Sequence, residues 1–394
     1  MSNNKKTAVF YLVGILIMIG LLIFIFYGVK SVLNENATND DMALSSEDLT
    51  TEATTTEEIT TEITTEATTE EVTEEPTTEE IEDLQLIELG VADDVTPPVF
   101  LGCPETIELK VDQAFVADAY VSYADDIDRN PVLTTEGTVD YTVPGNYPVK
   151  LTLTDEAGHS TVKDITVKVV EEYTTYNPTE KPKEDFSTFA SVYKNDNTTL
   201  GIDVSRWQED VDFNLVKQAG CDFVIIRIGG YDEGSTYTDR YFKDNIANAK
   251  AAGLKVGIYW HAEESNVEQV RENVRYMLDV LGGEELDFPI AYDWEDFSHF
   301  QDYKMSINDL NNCLEVFYGE VKKYGYDACI YGSKNYLDSV WKNMGNHPVW
   351  LANYVDSTTY SGDYYMWQQS NTGRIPGVNG DVDLNILYND RYVR

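Results

Sequence analysis

The C-terminal half of the chain alternates short apolar, β-branched runs with amphipathic segments of helical spacing. Strand–helix alternation predicts a largely parallel sheet, and eight strands indicate a barrel. The apolar runs predict strands at 201–205, 223–229, 255–262, 288–295, 328–333, 349–354, 365–370 and 382–387. The amphipathic segments predict helices at 241–254, 267–283 and 305–326. Polar connections of 10–15 residues join the last strands, so we expect this third of the barrel to lack crossover helices.

A different pattern fills residues 96–170, where short alternating runs are separated by Gly- and Asp-containing turns. This spacing is typical of a small antiparallel β-sandwich. The predicted strands are 106–111, 119–124, 138–143, 147–154 and 162–170. We expect residues 171–195 to be a linker to the C-terminal domain at 196–394.

The N-terminal residues 1–30 contain an uncharged apolar run of 22 residues, Ala8–Val29. At 1.5 Å per residue this helix would span ~33 Å, enough to cross a bilayer. Lys5 and Lys6 precede the run, so the positive-inside rule predicts a cytoplasmic N-terminus and extracellular C-terminal domains. A cleaved signal peptide, which would give a secreted protein, is the alternative. The run is long for a signal peptide, and no small-residue cleavage site follows it promptly.

Charge divides the chain further. Its 394 residues, enough for two or three domains, carry a net charge of -42, from 70 acidic and 28 basic residues. Residues 31–95 hold 21 of the acids and no Lys or Arg, within a loose Thr-Thr-Glu repeat. We expect this segment to be a disordered stalk. The acidic balance excludes nucleic-acid binding, which requires Lys and Arg to neutralise phosphates.

Neither the cysteines nor the histidines predict a metal or a cofactor. The chain has four of each, and no CxxC spacing. Buried free thiols are expected for Cys103, Cys221, Cys313 and Cys329. A disulfide within the last domain, among Cys221, Cys313 and Cys329, is the alternative. One acidic loop, with Asp125, Asp126 and Asp128, has ligands that suit calcium, but such loops are usually only solvated.

Acidic residues recur at the ends of the predicted barrel strands, where barrel active sites are built. Asp203 ends the first strand, and Asp293 and Glu295 end the fourth. Asp383 is the exception, at the start of the eighth. Carboxylates at i and i+2 share a strand face, and crowding raises one pKa so that a carboxyl can donate a proton. Cleavage of a glycosidic bond needs such a pair. The structural alternative is that these acids cap helices.

Aromatic residues near the strand ends suit the flat apolar faces of sugar rings, or they could fill the core. Trp207, Trp294 and Trp367 are open to both interpretations. The candidate subsite walls are Trp367, Tyr259 and Trp350, with Tyr364 and Tyr365 close to the first of them in sequence.

Residues 200–390 resemble the family 25 glycoside hydrolases in the order and spacing of several motifs. These are "GIDVSRWQ", "AGCDFVIIRIG", "AAGLKVGIYW", "FPIAYDWED", "YGYDACIYGS", "VWLANY" and "YMWQQSNTGRIPGVNGDVDLN". The resemblance implies a distorted (β/α)5(β)3 barrel and a monomeric lysozyme that cuts peptidoglycan glycan strands between N-acetylmuramic acid and N-acetylglucosamine without a cofactor. It implies that Glu295 is the general acid and Asp293 its partner, with Asp203 and Asp383 as supporting acids.

Several alternatives stay open beside this resemblance. Asp293 could attack as a nucleophile or assist the substrate's own N-acetyl group, and we favour assistance. The segment "WHAEESN" (260–266) departs from the family. A chitinase-like glycosidase and an inactive wall-binding module are the competing functions. Residues 96–170 resemble bacterial immunoglobulin-like repeats, which add no chemistry.

Overall fold

The computed structural model describes residues 86–173, 182–342 and 347–388. The predicted membrane segment and the stalk up to residue 85 lie outside these ranges. Within them, no helix is both long and apolar enough to cross a bilayer. The described residues fall in one compact unit, and they form a β domain followed by a barrel.

The β domain consists of two sheets with apolar side chains between them. Strands β1 and β3 pair antiparallel, while the second sheet has the order β2-β6-β5-β4. Its core is formed by residues such as Leu109, Val121, Leu151 and Val167, all buried. The strands are β1 (Val99–Gly102), β2 (Thr106–Lys110), β3 (Ser122–Ala124), β4 (Val132–Glu136), β5 (Gly145–Thr154) and β6 (Ser160–Val170).

Two expectations for the β domain are wrong. The sheet is not fully antiparallel, because β2 runs parallel to β6. Residues 138–143 form a turn, in which the Asp140 carboxylate accepts hydrogen bonds from the backbone N–H and hydroxyl of Thr142. Such side-chain bonds compete with strand pairing. The strand that pairs with β5 is instead β4.

The second part is a closed eight-stranded barrel, as predicted. The order β9-β11-β12-β13-β14-β15-β16-β8 closes through a β8–β9 pairing. All eight predicted strands are present: β8 (Thr198–Val204), β9 (Phe223–Asp232), β11 (Lys255–Ala262), β12 (Ile290–Trp294), β13 (Ala328–Ser333), β14 (Val349–Ala352), β15 (Met366–Arg374) and β16 (Val382–Tyr388). Two short strands add to the edges, β7 (Glu184–Asp185) on β15 and β10 (Ser235–Thr238) on β9.

Helices cover the first two thirds of the barrel. The three predicted helices are α3 (Phe242–Ala251), α4 (Val267–Leu281) and α5 (Ile307–Lys323), joined by the shorter α1 (Phe186–Tyr193), α2 (Phe213–Gln218) and α6 (Lys334–Ser339). Outward strand residues such as Val224 pack with these helices, while Phe223, Ile225 and Phe288 fill the barrel floor. The described residues 353–365 and 375–381, which connect β14 to β15 and β15 to β16, contain no helix.

The direction of β16 explains the exceptional position of Asp383. Strand β16 runs antiparallel to both of its neighbours, β15 and β8. Its first residues therefore lie at the edge where the parallel strands end, and Asp383 pairs directly with Asp203. The start of β16 therefore lies at the same edge of the barrel as the ends of the parallel strands.

Two sequence-based boundaries shift. Residues 184–193, assigned to the linker, belong to the barrel, because Phe186 and Phe189 of α1 are buried against it. The end of the predicted stalk is also ordered against the catalytic domain. Backbone groups of Ile87 exchange hydrogen bonds of 2.8 and 2.9 Å with the Asn312 side chain on α5.

The β domain contacts the barrel through its 121–129 segment. The Gln301 side chain donates to the Val121 carbonyl at 3.0 Å. Arg129 makes a two-pronged ion pair with Asp309, at 2.6 and 2.8 Å. A fork-to-carboxylate pair of this kind fixes orientation as well as distance.

Candidate active site

A cavity of about 110 Å³ opens at the edge of the barrel where the parallel strands end. All four acids predicted from the sequence line it, as do two of the three predicted aromatic walls. The lining residues are Asp203, Tyr259, Asp293, Glu295, Tyr331, Trp350, Gln368 and Asp383.

Strand register places the acids around this cavity. Asp293 lies on β12 between His261 of β11 and Tyr331 of β13, and Glu295 follows the end of that strand. Asp203 and Asp383 face each other on β8 and β16. The barrel thus brings together four carboxyl groups from three strands.

Two amide side chains hold the Asp203–Asp383 pair. The Asn385 and Gln368 amides donate to Asp203 Oδ1 at 2.7 and 2.9 Å. Gln368 Nε2 also donates to Asp383 Oδ2 at 3.3 Å. These bonds favour the ionised form of Asp203.

Aromatic side chains fix the direction of both amides. The hydroxyls of Tyr331 and Tyr354 each donate to Gln368 Oε1 at 2.8 Å. The Trp350 indole N–H donates to Asn385 Oδ1 at 2.9 Å. Because the amide oxygens accept these bonds, the amide N–H groups point at the acids.

Burial raises the pKa of every acid in the cavity. Glu295 is exposed as a residue, yet the protein packed around its carboxyl raises its pKa to about 7, with a smaller contribution from the Asp203 charge. Burial, followed by the Glu295 charge, raises the pKa of Asp293 well above its ordinary value. Burial also raises the pKa values of Asp203 and Asp383. The site therefore retains protons near neutral pH.

Two basic groups lie next to these acids, and neither was found from the sequence. Arg227, which is buried, donates to Asp239 at 2.8 Å, and its charge opposes the rise in the pKa of Asp293. Burial, aided by Arg227, lowers the pKa of His261 to about 4, so this imidazole is neutral at pH 7.

The divergent segment 260–266 builds a buried network rather than a wall of the cavity. Glu264, fully buried, accepts hydrogen bonds from Trp260 and Asn273, both at 2.9 Å. Its backbone carbonyl accepts from the Trp294 indole at 3.1 Å.

The other aromatic candidates lie outside the lining of this cavity. Trp367 lies on the opposite face of β15 from Gln368, where it packs against Tyr193 of α1 and outside the cavity lining. Tyr365 is buried in the barrel floor with its hydroxyl on Cys329, and Tyr364 contacts Tyr360 and Tyr388. Trp294 is core, whereas Trp207 is 54% exposed outside the cavity lining.

The cysteines agree with the sequence-based preference for free thiols. All four lie in the described residues, and none forms a disulfide. Cys221, Cys313 and Cys329 are buried, and burial raises the pKa of each thiol. They are inert core residues.

A barrel with coupled carboxyl groups at the open ends of its strands has the fold and the chemical groups of a glycoside hydrolase. Residues 202–378 match the family model described as glycosyl hydrolases family 25. Over these residues the barrel resembles a glycoside hydrolase family 25 domain.

Curated relatives and a solved structure share this part of the chain. It is 32% identical over 187 residues to the autolytic lysozyme of Clostridium acetobutylicum, covering 47% of this chain and 54% of that protein. It is 31% identical over 198 residues to lysozyme M1 of Streptomyces globisporus, covering 47% and 66%. The chain thus spans about half to two thirds of these relatives. The crystal structure of a Streptomyces coelicolor lysozyme is 28% identical, with a TM-score of 0.44, covering 50% of this chain and 95% of that one.

The raised pKa of Glu295 predicts a pH-dependent stability difference. Its pKa rises from 4.5 to about 7 on folding, so the folded state is fully favoured below about 4.5 and loses that contribution as pH rises through about 7. We expect Glu295→Gln to unfold at a higher temperature than the wild type at pH 8, with the difference vanishing near pH 4. Thermal unfolding followed by near-UV circular dichroism measures this difference.

The control for this comparison is Glu285→Gln, at an exposed position. An equal stability difference at both pH values for Glu295→Gln would contradict the titration of this carboxyl in the folded state.

Proposed function

We propose that this chain is a lysozyme that hydrolyses peptidoglycan at the bond between N-acetylmuramic acid and N-acetylglucosamine. The observation that carries the proposal is the set of four acids around one cavity of a family 25 barrel. The names of two relatives, both lysozymes, support the same activity.

Glu295 is the general acid in this proposal. Glu295 lines the cavity, where a leaving oxygen can approach it, and its pKa of about 7 keeps a large share of the carboxyl protonated at neutral pH. A positioned acid with a pKa near the working pH is the most effective proton donor.

Asp293 assists the N-acetyl group of the substrate rather than attacking the sugar. Its Oδ1 is buried without a hydrogen-bond partner among the described residues, and therefore can bond to a substrate amide. Attack would require the carboxylate, which burial and the Glu295 charge disfavour. Substrate assistance is a known route for glycosides that carry this group.

Tyr259 and Trp350 contribute the aromatic surface of the cavity. Their rings meet edge-on, with centroids 6.4 Å apart. Trp350 is held by its bond to Asn385, so its ring is fixed before substrate enters. Fixed side chains lower the entropic cost of binding a sugar ring.

Replacing the general acid tests the assignment. Glu295→Gln keeps the size of the side chain but cannot donate the acidic proton, so we expect hydrolysis of purified cell walls to fall roughly 10²–10⁴-fold. Release of reducing sugar measures the rate, with Glu285→Gln as the control. Full activity of folded Glu295→Gln would refute the assignment.

The role of Asp293 predicts the absence of a covalent intermediate. During turnover of a slow glycoside substrate, we expect the intact mass of the enzyme to stay unchanged, because the N-acetyl oxygen and not Asp293 attacks the anomeric carbon. A sugar adduct mapped to Asp293 by mass spectrometry would show that it is the nucleophile.

We also propose that residues 8–29 anchor the protein in the cell membrane, with the β domain and barrel outside. The support is the uncharged length of this run and the lysines before it. We expect peptides from residues 1–30 in the mature, membrane-associated protein by mass spectrometry. A mature N-terminus beyond residue 30 would instead establish signal cleavage.

A further inference from the structure

A second acidic cluster lies in the β domain, away from the barrel cavity. Asp94, Asp125 and Asp155 are 7%, 1% and 6% exposed. Two groups of side chains share Asp94, one with Asp125 and Asp126 and the other with Asp155 and His159. Within each group the candidate ligand atoms lie within 4.8 Å of one another.

The positive partners of this cluster sit at its rim. Among the described residues, Lys342 pairs with Asp126 at 3.1 Å, and its side chain is 40% exposed. His159 lies 3.2 Å from Asp155 and 3.8 Å from Asp94. One lysine and one histidine do not balance four neighbouring carboxyl groups, three of them buried, and burying unpaired charge is strongly unfavourable.

An unused oxygen points to a ligand. Asp125 Oδ1 accepts from the backbone N–H groups of Ile127 and Asp128, at 2.8 and 2.6 Å. Its other oxygen, Oδ2, is buried and has no hydrogen-bond partner in the described part of the chain. Buried polar atoms are rarely left unpaired.

The other two buried acids also use one oxygen to hold their own loops. Asp94 Oδ1 accepts from the backbone N–H of Thr96 at 3.2 Å. Asp155 Oδ1 accepts from the backbone N–H of His159 at 2.8 Å. The three acids precede β1, follow β3 and follow β5, so the fold brings three fixed carboxylates together at one end of the domain.

We propose that Asp94, Asp125 and Asp126, whose candidate ligand atoms lie within 4.8 Å of one another, bind a calcium ion at this end of the β domain. Carboxylate oxygens held on several loops suit Ca²⁺, which takes six to eight oxygen ligands in flexible geometry. The ion balances the buried negative charge and gives Asp125 Oδ2 its partner. Asp128 is not in the cluster, because its carboxylate is not among the candidate ligand atoms that lie within 4.8 Å of one another. Its two oxygens accept from the backbone N–H groups of Asn130 and Glu156.

The calcium site also stabilises the contact with the barrel. The backbone carbonyls of Asp125 and Asp126 accept from the N–H groups of Ile307 and Asn308, at 2.8 and 3.3 Å. These N–H groups belong to the first turn of α5, where a helix lacks internal partners. Two of the proposed ligand residues, Asp125 and Asp126, thus also bond through their carbonyls to the first turn of α5.

Calcium titration of the full-length protein in detergent tests the site. After chelation, we expect 1 mM Ca²⁺ to raise the unfolding midpoint of the wild type by roughly 3–8 °C. Asp125→Asn retains the carbonyl oxygen that bonds to the loop but loses the charge and the free oxygen, so most of the shift should disappear. Asp164→Asn, at an exposed position on β6, should retain it.

All variants carry the same acidic stalk, so its weak ion binding cancels in the comparison. Cell-wall hydrolysis and near-UV circular dichroism without calcium identify folded variants, and Asp94→Asn replaces Asp125→Asn if the latter does not fold. The proposal is overturned by equal calcium shifts in the wild type and the folded site variant, or by no shift in the wild type. A shift with Zn²⁺ that His159→Gln removes, without a calcium shift, would also overturn it.

Discussion

Four carboxyl groups crowded at one edge of the barrel are the constraint on which the catalytic domain depends. Ionising all four carboxyl groups at once is unfavourable. Either the surrounding side chains stabilise the negative charges, or some of the acids stay protonated. The Gln368 and Asn385 amides stabilise Asp203 directly, while burial keeps the Asp293–Glu295 pair partly protonated. The hydroxyls of Tyr331 and Tyr354 and the Trp350 indole have a structural role, because they fix the amides that hold the acids.

The topology of the last third of the barrel produces part of this crowding. An antiparallel β16 brings the start of a strand to the active edge, so that Asp383 meets Asp203. The connections before it need no crossover helix, and their short polar sequences match this geometry. The antiparallel direction of β16 thus explains two features of the sequence. These are the lack of late helices and the position of Asp383 at the start of a strand.

Periodicity allowed the barrel strands, three helices and all four acids to be predicted, because buried β-branched runs and strand-end acids are local patterns. Trp367 could not be placed in this way. Alternation puts Trp367 and Gln368 on opposite faces of β15, but only the register of the closed barrel decides which face lines the cavity. Asp94 was missed for a related reason, since composition assigned it to the stalk while its burial depends on contacts distant in sequence. Arg227 was missed as well, because a single charge within an apolar strand does not show from the sequence which side chains it meets.

The central claim is that the barrel cleaves the bond on the reducing side of N-acetylmuramic acid. Digestion of purified peptidoglycan by the full-length protein, followed by borohydride reduction and mass spectrometry of the products, tests it directly. The account predicts reduced N-acetylmuramic acid at the new ends and no soluble oligosaccharides from a parallel digest of chitin. Reduced N-acetylglucosamine at the new ends, or efficient release of chitin oligosaccharides, would contradict it.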